Sequence, residues 1–474
     1  MTDCLIGGHW RPAEAGTLPA EDPSDGTEVG RIARGGAAEI DAAVAAARAA
    51  LAGPWSRADA AERGRLLASL GRLVEARAED LADIEARDVG KPLGQARADA
   101  HALARYLEFY AGAADKLTGE TIPFRAGYTV FTLREPHGVT GHIIPWNYPL
   151  QIVGRSVVAA LAAGNACVLK PAEQASLGAL AFARLAAEAG LPDGALNVVP
   201  GLGAEAGAAL AAHPGIDHLS FTGSLPVGAA VQAAAGANAV PVTLELGGKS
   251  PQLVFDDADL DAALPLLVAA GLQNAGQTCS AWSRILVQRG VYDRIVSALA
   301  ARFTALRAGP ARADLDLGPL ISARQLESVR CFLDRAADLD LVAEGAVADD
   351  APAGGHYLAP RLYAGVPPGH ELAREEVFGP VQVVIPFTDE AEALAIANDT
   401  RTGLVAGVWT RDGARALRLA RALRAGQVFL NDYGAGGGVE LPFGGVGRSG
   451  HGREKGFESL LGFTRLKTVA ARHG

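Results

Sequence analysis

Apolar residues recur at spacings of three and four, with acids and arginines between them, over Ala38 to Leu51, Ala58 to Val89 and Ala98 to Leu117. That periodicity predicts amphipathic helices and makes the first third of the chain mostly helical. Thr118 to Pro136 changes character. Thr129-Val130-Phe131-Thr132-Leu133, with Gly127 and Pro136 at its edges, reads as a strand. From Gly138 onward strands and helices alternate. Strands are predicted at Val139 to Ile144, Ala166 to Leu169, Asn197 to Val199, His218 to Phe221 and Val240 to Leu244. Helices are predicted over Gln151 to Ala163, over Ser176 to Ala189 and after Ser224.

A second alternating block follows, with strands at Gln252 to Phe255, Ser283 to Val287, Val381 to Ile385, Leu404 to Trp409 and Gln427 to Leu430. Its helices are Asp259 to Gly276, Tyr292 to Leu306 and Gly413 to Leu423. Gly434 to Gly452 is glycine-rich and reads as loop. The tail from Gly462 to Ala471 reads as a strand whose natural partner is Thr129 to Leu133. Two strands outside both sheets invite pairing across subunits. The alternation places the chain in the α/β class, with mostly parallel sheets covered on both faces.

Composition narrows the function classes. At 474 residues the chain is long enough for about three domains, or two large ones with an appendage. Hydrophobic residues make up 49% and charged residues 20%, which suits sizeable cores. The net charge of −10 argues against a nucleic-acid footprint, which needs a basic surface. No apolar stretch is long enough to span a membrane, and no basic-then-apolar leader opens the sequence. The four cysteines, Cys4, Cys167, Cys279 and Cys331, lie far apart, with no CxxC pair or Cys/His cluster to hold a metal. A reducing, cytoplasmic setting is therefore expected. Only six of the 43 basic residues are lysine: Lys91, Lys116, Lys170, Lys249, Lys455 and Lys467. A lysine kept amid so much arginine suggests a task arginine cannot perform.

Several residues could carry chemistry. Cys279, in Gly276-Gln277-Thr278-Cys279-Ser280, sits at an element boundary and is either a nucleophile or an inert buried thiol. Glu245 ends an apolar strand, where a carboxylate is costly to bury; it is a candidate general base or a partner of Lys249. Asn147, after a strand and between Trp146 and Pro149, could donate to an oxyanion or stabilise a turn. Lys170 and Glu173 follow a strand and could bond ribose hydroxyls or form a surface ion pair. Phe221-Thr222-Gly223-Ser224, then Gly228, is a strand-to-helix turn whose amides could approach a pyrophosphate. Gly201, Gly203 and Gly207 give GxGxxxG, one residue longer than the dinucleotide fingerprint.

Together these segments resemble the NAD(P)-dependent aldehyde dehydrogenase superfamily. The resemblance runs in order through Pro145-Trp146-Asn147-Tyr148-Pro149, Lys170-Pro171-Ala172-Glu173, Phe221-Thr222-Gly223-Ser224 and Leu244-Glu245-Leu246-Gly247-Gly248-Lys249. It continues through Gly276-Gln277-Thr278-Cys279, Glu375-Glu376-Val377-Phe378-Gly379-Pro380 and Pro442-Phe443-Gly444-Gly445, then Ser449-Gly450 and Gly452-Arg453-Glu454. It implies a Rossmann-like cofactor domain over residues 1–117 and 138–247. It also implies an α/β catalytic domain over 248–445 and a small β oligomerisation element from 118–137 and 446–474.

The resemblance further implies NAD-dependent oxidation of an aldehyde to the acid. Cys279 would form a thiohemiacetal and then a thioester, with Asn147 and the Cys279 amide as oxyanion hole and Glu245 activating the hydrolytic water. Cofactor contacts would come from Ile143, Pro145, Trp146, Lys170, Glu173, Gly203, Gly207, Phe221, Thr222, Gly223, Ser224, Val227, Leu246, Gly247, Glu376 and Phe378. The substrate channel would include Tyr148, Arg155, Trp282 and Phe443. Glu173 would repel a 2′-phosphate, which favours NAD over NADP. No metal is implied, the small-molecule partner is an aldehyde, and the assembly is a homodimer or homotetramer.

Leu225, Ser156 and Arg155 depart from common family residues. Arg155 is placed as in members that take carboxylated semialdehydes, but Gln273 is not the second arginine that some of those carry. Arg155 thus binds an anionic substrate or sits in a buried ion pair. A CoA-acylating enzyme, a thiol hydrolase and a non-catalytic binding protein are the alternatives. Glu245 argues against the first, and the lack of histidine in the motifs around Cys279 and Glu245 against the second.

Overall fold

The computed structural model describes residues 2–434 and 438–474. Its first sheet has eight strands in the order His9–Pro12, Asp3–Ile6, Leu196–Val198, Ala166–Lys170, Val139–Ile143, His218–Thr222, Val242–Glu245 and Gly450–His451. The five from Leu196–Val198 to Val242–Glu245 are parallel, and the outer strands pair antiparallel. Val139–Ile143 comes first in the chain among those five, and its successors add on opposite sides. The strand order therefore reverses between Val139–Ile143 and His218–Thr222. In doubly wound sheets that reversal opens a crevice beyond the carboxyl ends of the strands, where ligands bind. Pro145-Trp146-Asn147 and Thr222-Gly223-Ser224 leave the sheet at this point.

The second sheet has seven strands in the order Asp340–Glu344, Arg361–Ala364, Val381–Phe387, Arg284–Gln288, Pro251–Val254, Val405–Trp409 and Gln427–Leu430. All pairs are parallel except the first. Each sheet has its own apolar core, one around Val168, Leu169 and Leu219, the other around Leu253, Leu286 and Ile385. A small third cluster, with Trp282 and Phe443, lies beside Cys279. Outside both sheets, Tyr128–Pro136 pairs antiparallel with Thr464–Arg472, as the sequence predicts.

The helical reading of the first third is incomplete. Asp3–Ile6, His9–Pro12, Thr17–Glu21 and Glu28–Ala33 are strands, forming two hairpins. They are short, and proline or glycine breaks their alternation. The first turns on Gly7 and Gly8, with φ of 59° and 80°, the left-handed pair that a two-residue hairpin requires. The long helix expected from Ala58 to Val89 is two, Ala60–Ala76 and Ala78–Val89, broken at Arg77 (φ −114°, ψ 20°). The helix expected to reach Gly276 ends at Leu272. The stretch read as loop holds two short strands, Val446–Gly447 and Gly450–His451, and its residues 435–437 lie outside the described ones. Between 307 and 380 the structure adds Ala323–Asp334, Asp340–Glu344 and Arg361–Ala364, which the periodicity did not reveal.

One side chain joins two helices of the layer beneath the site. Asp88, near the end of Ala78–Val89, accepts from the Leu177 N–H at 2.7 Å and so caps the helix Leu177–Glu188. Burial lifts its carboxyl to about 7, although the Leu177 and Gly178 amides oppose the rise. A carboxyl raised on folding contributes its stability below the ordinary carboxylate range and loses it as pH climbs through about 7. Asp88→Asn keeps the acceptor and cannot ionise. Its melting temperature relative to wild type should therefore rise from about pH 5 to about pH 8 in thermal unfolding; a pH-independent offset would contradict this.

Candidate active site

The carboxyl ends of the first sheet's central strands face a cavity of about 310 Å³. Pro145, Trp146, Asn147 and Tyr148 enter it from the turn after Val139–Ile143, and Arg155 from the helical segment that follows. Thr222, Gly223 and Ser224 come from the end of His218–Thr222, and Glu245 and Gly247 from the end of Val242–Glu245. From the second sheet's side come Cys279, Glu376, Phe378 and Phe443. Fourteen sequence-predicted site residues thus meet in one cavity.

The nucleophile candidate is held by a strained turn. Asn274, Ala275 and Gly276 take left-handed φ values of 50°, 53° and 76° in succession. Two of them are not glycine, and such residues cost about 1–3 kcal/mol each and persist only where their surroundings enforce the shape. Here the Gln95 side chain accepts from the Asn274 N–H at 2.9 Å, and Asn274 Nδ2 donates to the Asn147 carbonyl at 3.1 Å. Asn147 Nδ2 donates back to the Gln277 carbonyl at 2.9 Å, which occupies one of its two N–H groups. Gln277 is pinned in turn by the Ile321 N–H. Thr278 Oγ1 donates to the Gln273 carbonyl, so the Tyr148 hydroxyl, 2.9 Å away, donates to Thr278. The turn that carries the oxyanion candidate is thereby clamped onto the turn that carries the thiol.

The electrostatics are those of a dry site. Burial pushes the Cys279 thiol up to about 12, against the pull of Arg155 and with Glu376 and Glu245 adding to the rise. Glu245 is 1% exposed, and among the described residues neither carboxyl oxygen has a hydrogen-bond partner. Burial, then repulsion by Glu454, holds it well above the usual carboxylate range, while Arg155 and Arg453 oppose this. Arg155 Nε is paired with Glu454, and its guanidinium lies 4.9 Å from the Phe443 ring. Its charge is already matched. Of the two readings of Arg155, the structure places it both on the cavity wall and in an ion pair.

The remaining candidates lie outside the cavity lining. Lys170 is buried and meets Glu173 Oε2 at 3.1 Å, and a Cβ on Gly207 would sit 3.9 Å from Lys170 Cδ. Gly203–Gly207 forms a single wide helical turn. Ile143 and Phe221 are buried in adjacent strands, Leu246 packs against Gly228, and Val227 is exposed on the first turn of Leu225–Gly236. Trp282, expected in the channel, is fully buried behind its wall, edge-on to Tyr433 and close to Gly407. Four of the six lysines, 91, 170, 249 and 455, are 3% exposed or less. Burial lowers Lys249 and Lys455 to about 7.

Sequence reasoning assigned no task to Gln151, Gln325, Ser328, Phe332 or Glu454. The middle three share one face of Ala323–Asp334, at spacings of three and four, and line the cavity. That spacing was the available signal. Glu454 was visible only as part of a motif, and its contact with Arg155 crosses about 300 residues of chain.

A model of the aldehyde dehydrogenase family matches residues 10–469. The chain belongs to the aldehyde dehydrogenase family. It is an aldehyde-oxidising enzyme by that membership. A hydroxyisobutyraldehyde dehydrogenase of Mycolicibacterium austroafricanum is 42% identical over 98% of this chain and 92% of its own length. The crystal structure of a Burkholderia cenocepacia protein assigned to the aldehyde dehydrogenases superposes with a TM-score of 0.99 at 65% identity, covering both chains fully. The NAD+ complex of an aldehyde dehydrogenase from Bacillus cereus superposes at 0.97 and 38% identity, covering all of this chain and 97% of that one.

The strained turn gives this dehydrogenase a sensitive point. A Cβ on Gly276 would lie 2.0 Å from the Gly379 carbonyl oxygen. Gly276→Ala should therefore lower the melting temperature and slow alkylation of Cys279 by iodoacetamide. Wild-type values for both would show that the turn does not set the thiol.

Proposed function

We propose that the enzyme converts an aldehyde and NAD to the carboxylic acid by covalent catalysis on Cys279. The observation that carries this reading is the convergence of Cys279, Asn147 and Glu245, from three separate elements, on one buried cavity. Cys279, its thiol proton given up to water, bonds through Sγ to the aldehyde carbon as the carbonyl π pair moves onto oxygen, and the developing oxyanion is met by the free N–H of Asn147 and the Cys279 amide. When bound, NAD supplies the hydride acceptor. Glu245 serves the hydrolysis of the acyl group on Cys279. As carboxylate it takes a proton from the water that attacks the thioester carbonyl, and the thiolate leaves. Its lack of fixed partners leaves both oxygens available for that water.

The residues present suit NAD. Thr222 Oγ1 is buried at the cavity wall and has no hydrogen-bond partner among the described residues, and Ser224 opens the helix Leu225–Gly236, whose first N–H groups suit a pyrophosphate. Lys170 and Glu173 offer a cation and a carboxylate for ribose hydroxyls, and Glu173 disfavours a 2′-phosphate. Glu376 and Phe378 would place the nicotinamide riboside. The NAD+ complex of the Bacillus cereus relative supports this choice.

The cofactor portion comprises 1–117 and 138–247, the catalytic portion 248–445, and the oligomerisation element 118–137 with 446–474. That element exposes Leu133 and Leu466, which supports a homodimer or homotetramer built through it. Among the described residues no helix is long and apolar enough to cross a membrane, and the cytoplasm is the compartment we assign.

Cys279→Ala should abolish aldehyde-dependent formation of reduced nicotinamide. Glu245→Gln should leave a burst and slow steady-state turnover by ~10²–10⁴-fold. A normal steady-state rate in the Glu245 variant would remove that residue from the mechanism. Glu454→Gln removes the charge that raises Glu245 and frees Arg155 to lower it. The rise of kcat with pH should therefore move to lower pH, read from a pH–rate profile; no movement, or an upward one, would contradict the coupling.

A further inference from the structure

Beneath the cavity lies a buried polar cluster that the mechanism does not use. Lys91, 0% exposed, meets Glu85 Oε1 at 3.1 Å and contacts Asp99 Oδ2. Its ammonium also sits 3.9 Å from the centre of the Tyr148 ring. Burial holds the Glu85 carboxyl well above its usual range, against the pull of Lys91, while the Lys91 ammonium is in direct contact with Asp99. A buried carboxylate in contact with an ammonium has only acceptor sites to offer a neighbour.

That neighbour is Gln151, whose Nε2 donates to Asp99 Oδ1 at 2.6 Å. A side-chain amide has two ends, and an acceptor on one side decides which end faces the other way. Asp99 takes the nitrogen, so the carbonyl oxygen is the end of the Gln151 amide left unpaired beside the cavity it lines. Among the described residues that oxygen makes no hydrogen bond. Gln273 also lines the cavity; the Tyr433 hydroxyl reaches its Oε1 at 3.5 Å, and among the described residues its N–H groups make no hydrogen bond. One wall thus offers an acceptor and another offers donors. Arg155 adds no unmatched charge, because Glu454 holds it.

We infer that Gln151, oriented by the Asp99–Lys91 pair, is a specificity-determining residue that selects aldehydes bearing a neutral hydroxyl group on the carbon chain. The hydroxyl donates to Gln151 Oε1 and accepts from Gln273. An aldehyde lacking it leaves the Gln151 oxygen desolvated and unpaired, the circumstance under which a polar site discriminates strongly. A carboxylated aldehyde would set its charge against the same oxygen. This inference rests on the proposed aldehyde oxidation and adds the substrate class.

The test compares kcat/KM for straight-chain aldehydes with their counterparts hydroxylated at successive carbons, in wild type and Gln151→Met. Wild type should favour at least one hydroxylated member by about tenfold or more over its parent. Gln151→Met should bring that ratio to within about twofold, mainly by raising KM for the hydroxylated aldehyde. Should the Met variant not fold, Gln151→Ala gives the same comparison. Wild-type turnover without a hydroxyl preference, or a preference that survives in the variant, would overturn this inference alone. The absence of Cys279-dependent turnover with every aldehyde would overturn the proposed function, and this inference with it.

Discussion

Five residues, Leu246 to Ser250, separate the last parallel strand of the first sheet from the first strand of the second. So short a tether obliges the carboxyl end of one sheet to abut the other, and the cavity exists because of that covalent limit. It also dictates composition. A Cβ on Gly247 would lie 2.0 Å from Glu376 Oε2, and one on Gly248 would lie 2.7 Å from the Cys279 carbonyl oxygen. The two glycines let a carboxylate and the nucleophile's backbone close over the tether. Ser449 completes the seal, with its hydroxyl donating to the Gly247 carbonyl at 2.8 Å.

The desolvated junction accounts for the unusual state of its ionisable groups. Taking a carboxyl out of water without partners favours the neutral acid, which is the condition of Glu245. The same environment raises the thiol of Cys279. Burial thus pushes both groups toward their protonated forms. Tight closure and reactive poise thus stem from one cause, with Arg155 and Glu454 setting the balance of charge.

Much of this was legible in the sequence, for identifiable reasons. The parallel strands are buried on both faces, so an unbroken apolar run such as Ala166-Cys167-Val168-Leu169 marks one. The reacting residues lie at strand ends within short glycine-containing motifs, and such local signals survive without knowledge of tertiary contacts. The pairing of the C-terminal strand with Tyr128–Pro136 was also readable, because both lacked partners elsewhere. What could not be read depends on distance along the chain. Periodicity extended the helix before Cys279 through Asn274 and Ala275, because only Gln95 and Asn147, far away in sequence, hold those residues in left-handed geometry. Trp282 reads as a channel aromatic until Phe429 and Tyr433 are seen to enclose it. The end of the Gln151 amide that meets the cavity is settled by Asp99, 52 residues earlier.

The scarcity of lysine has a practical side. All six lysines lie among the described residues, and four are sealed in the interior. Lys116 and Lys467, with side chains 64% and 52% exposed, are the two whose amines reach solvent. One follows the end of the helix Leu93–Ala113, and the other stands on the terminal strand. Coupling through lysine side chains to a resin or a dye would therefore seize the molecule by two known points. Neither of those lysines lines the cavity.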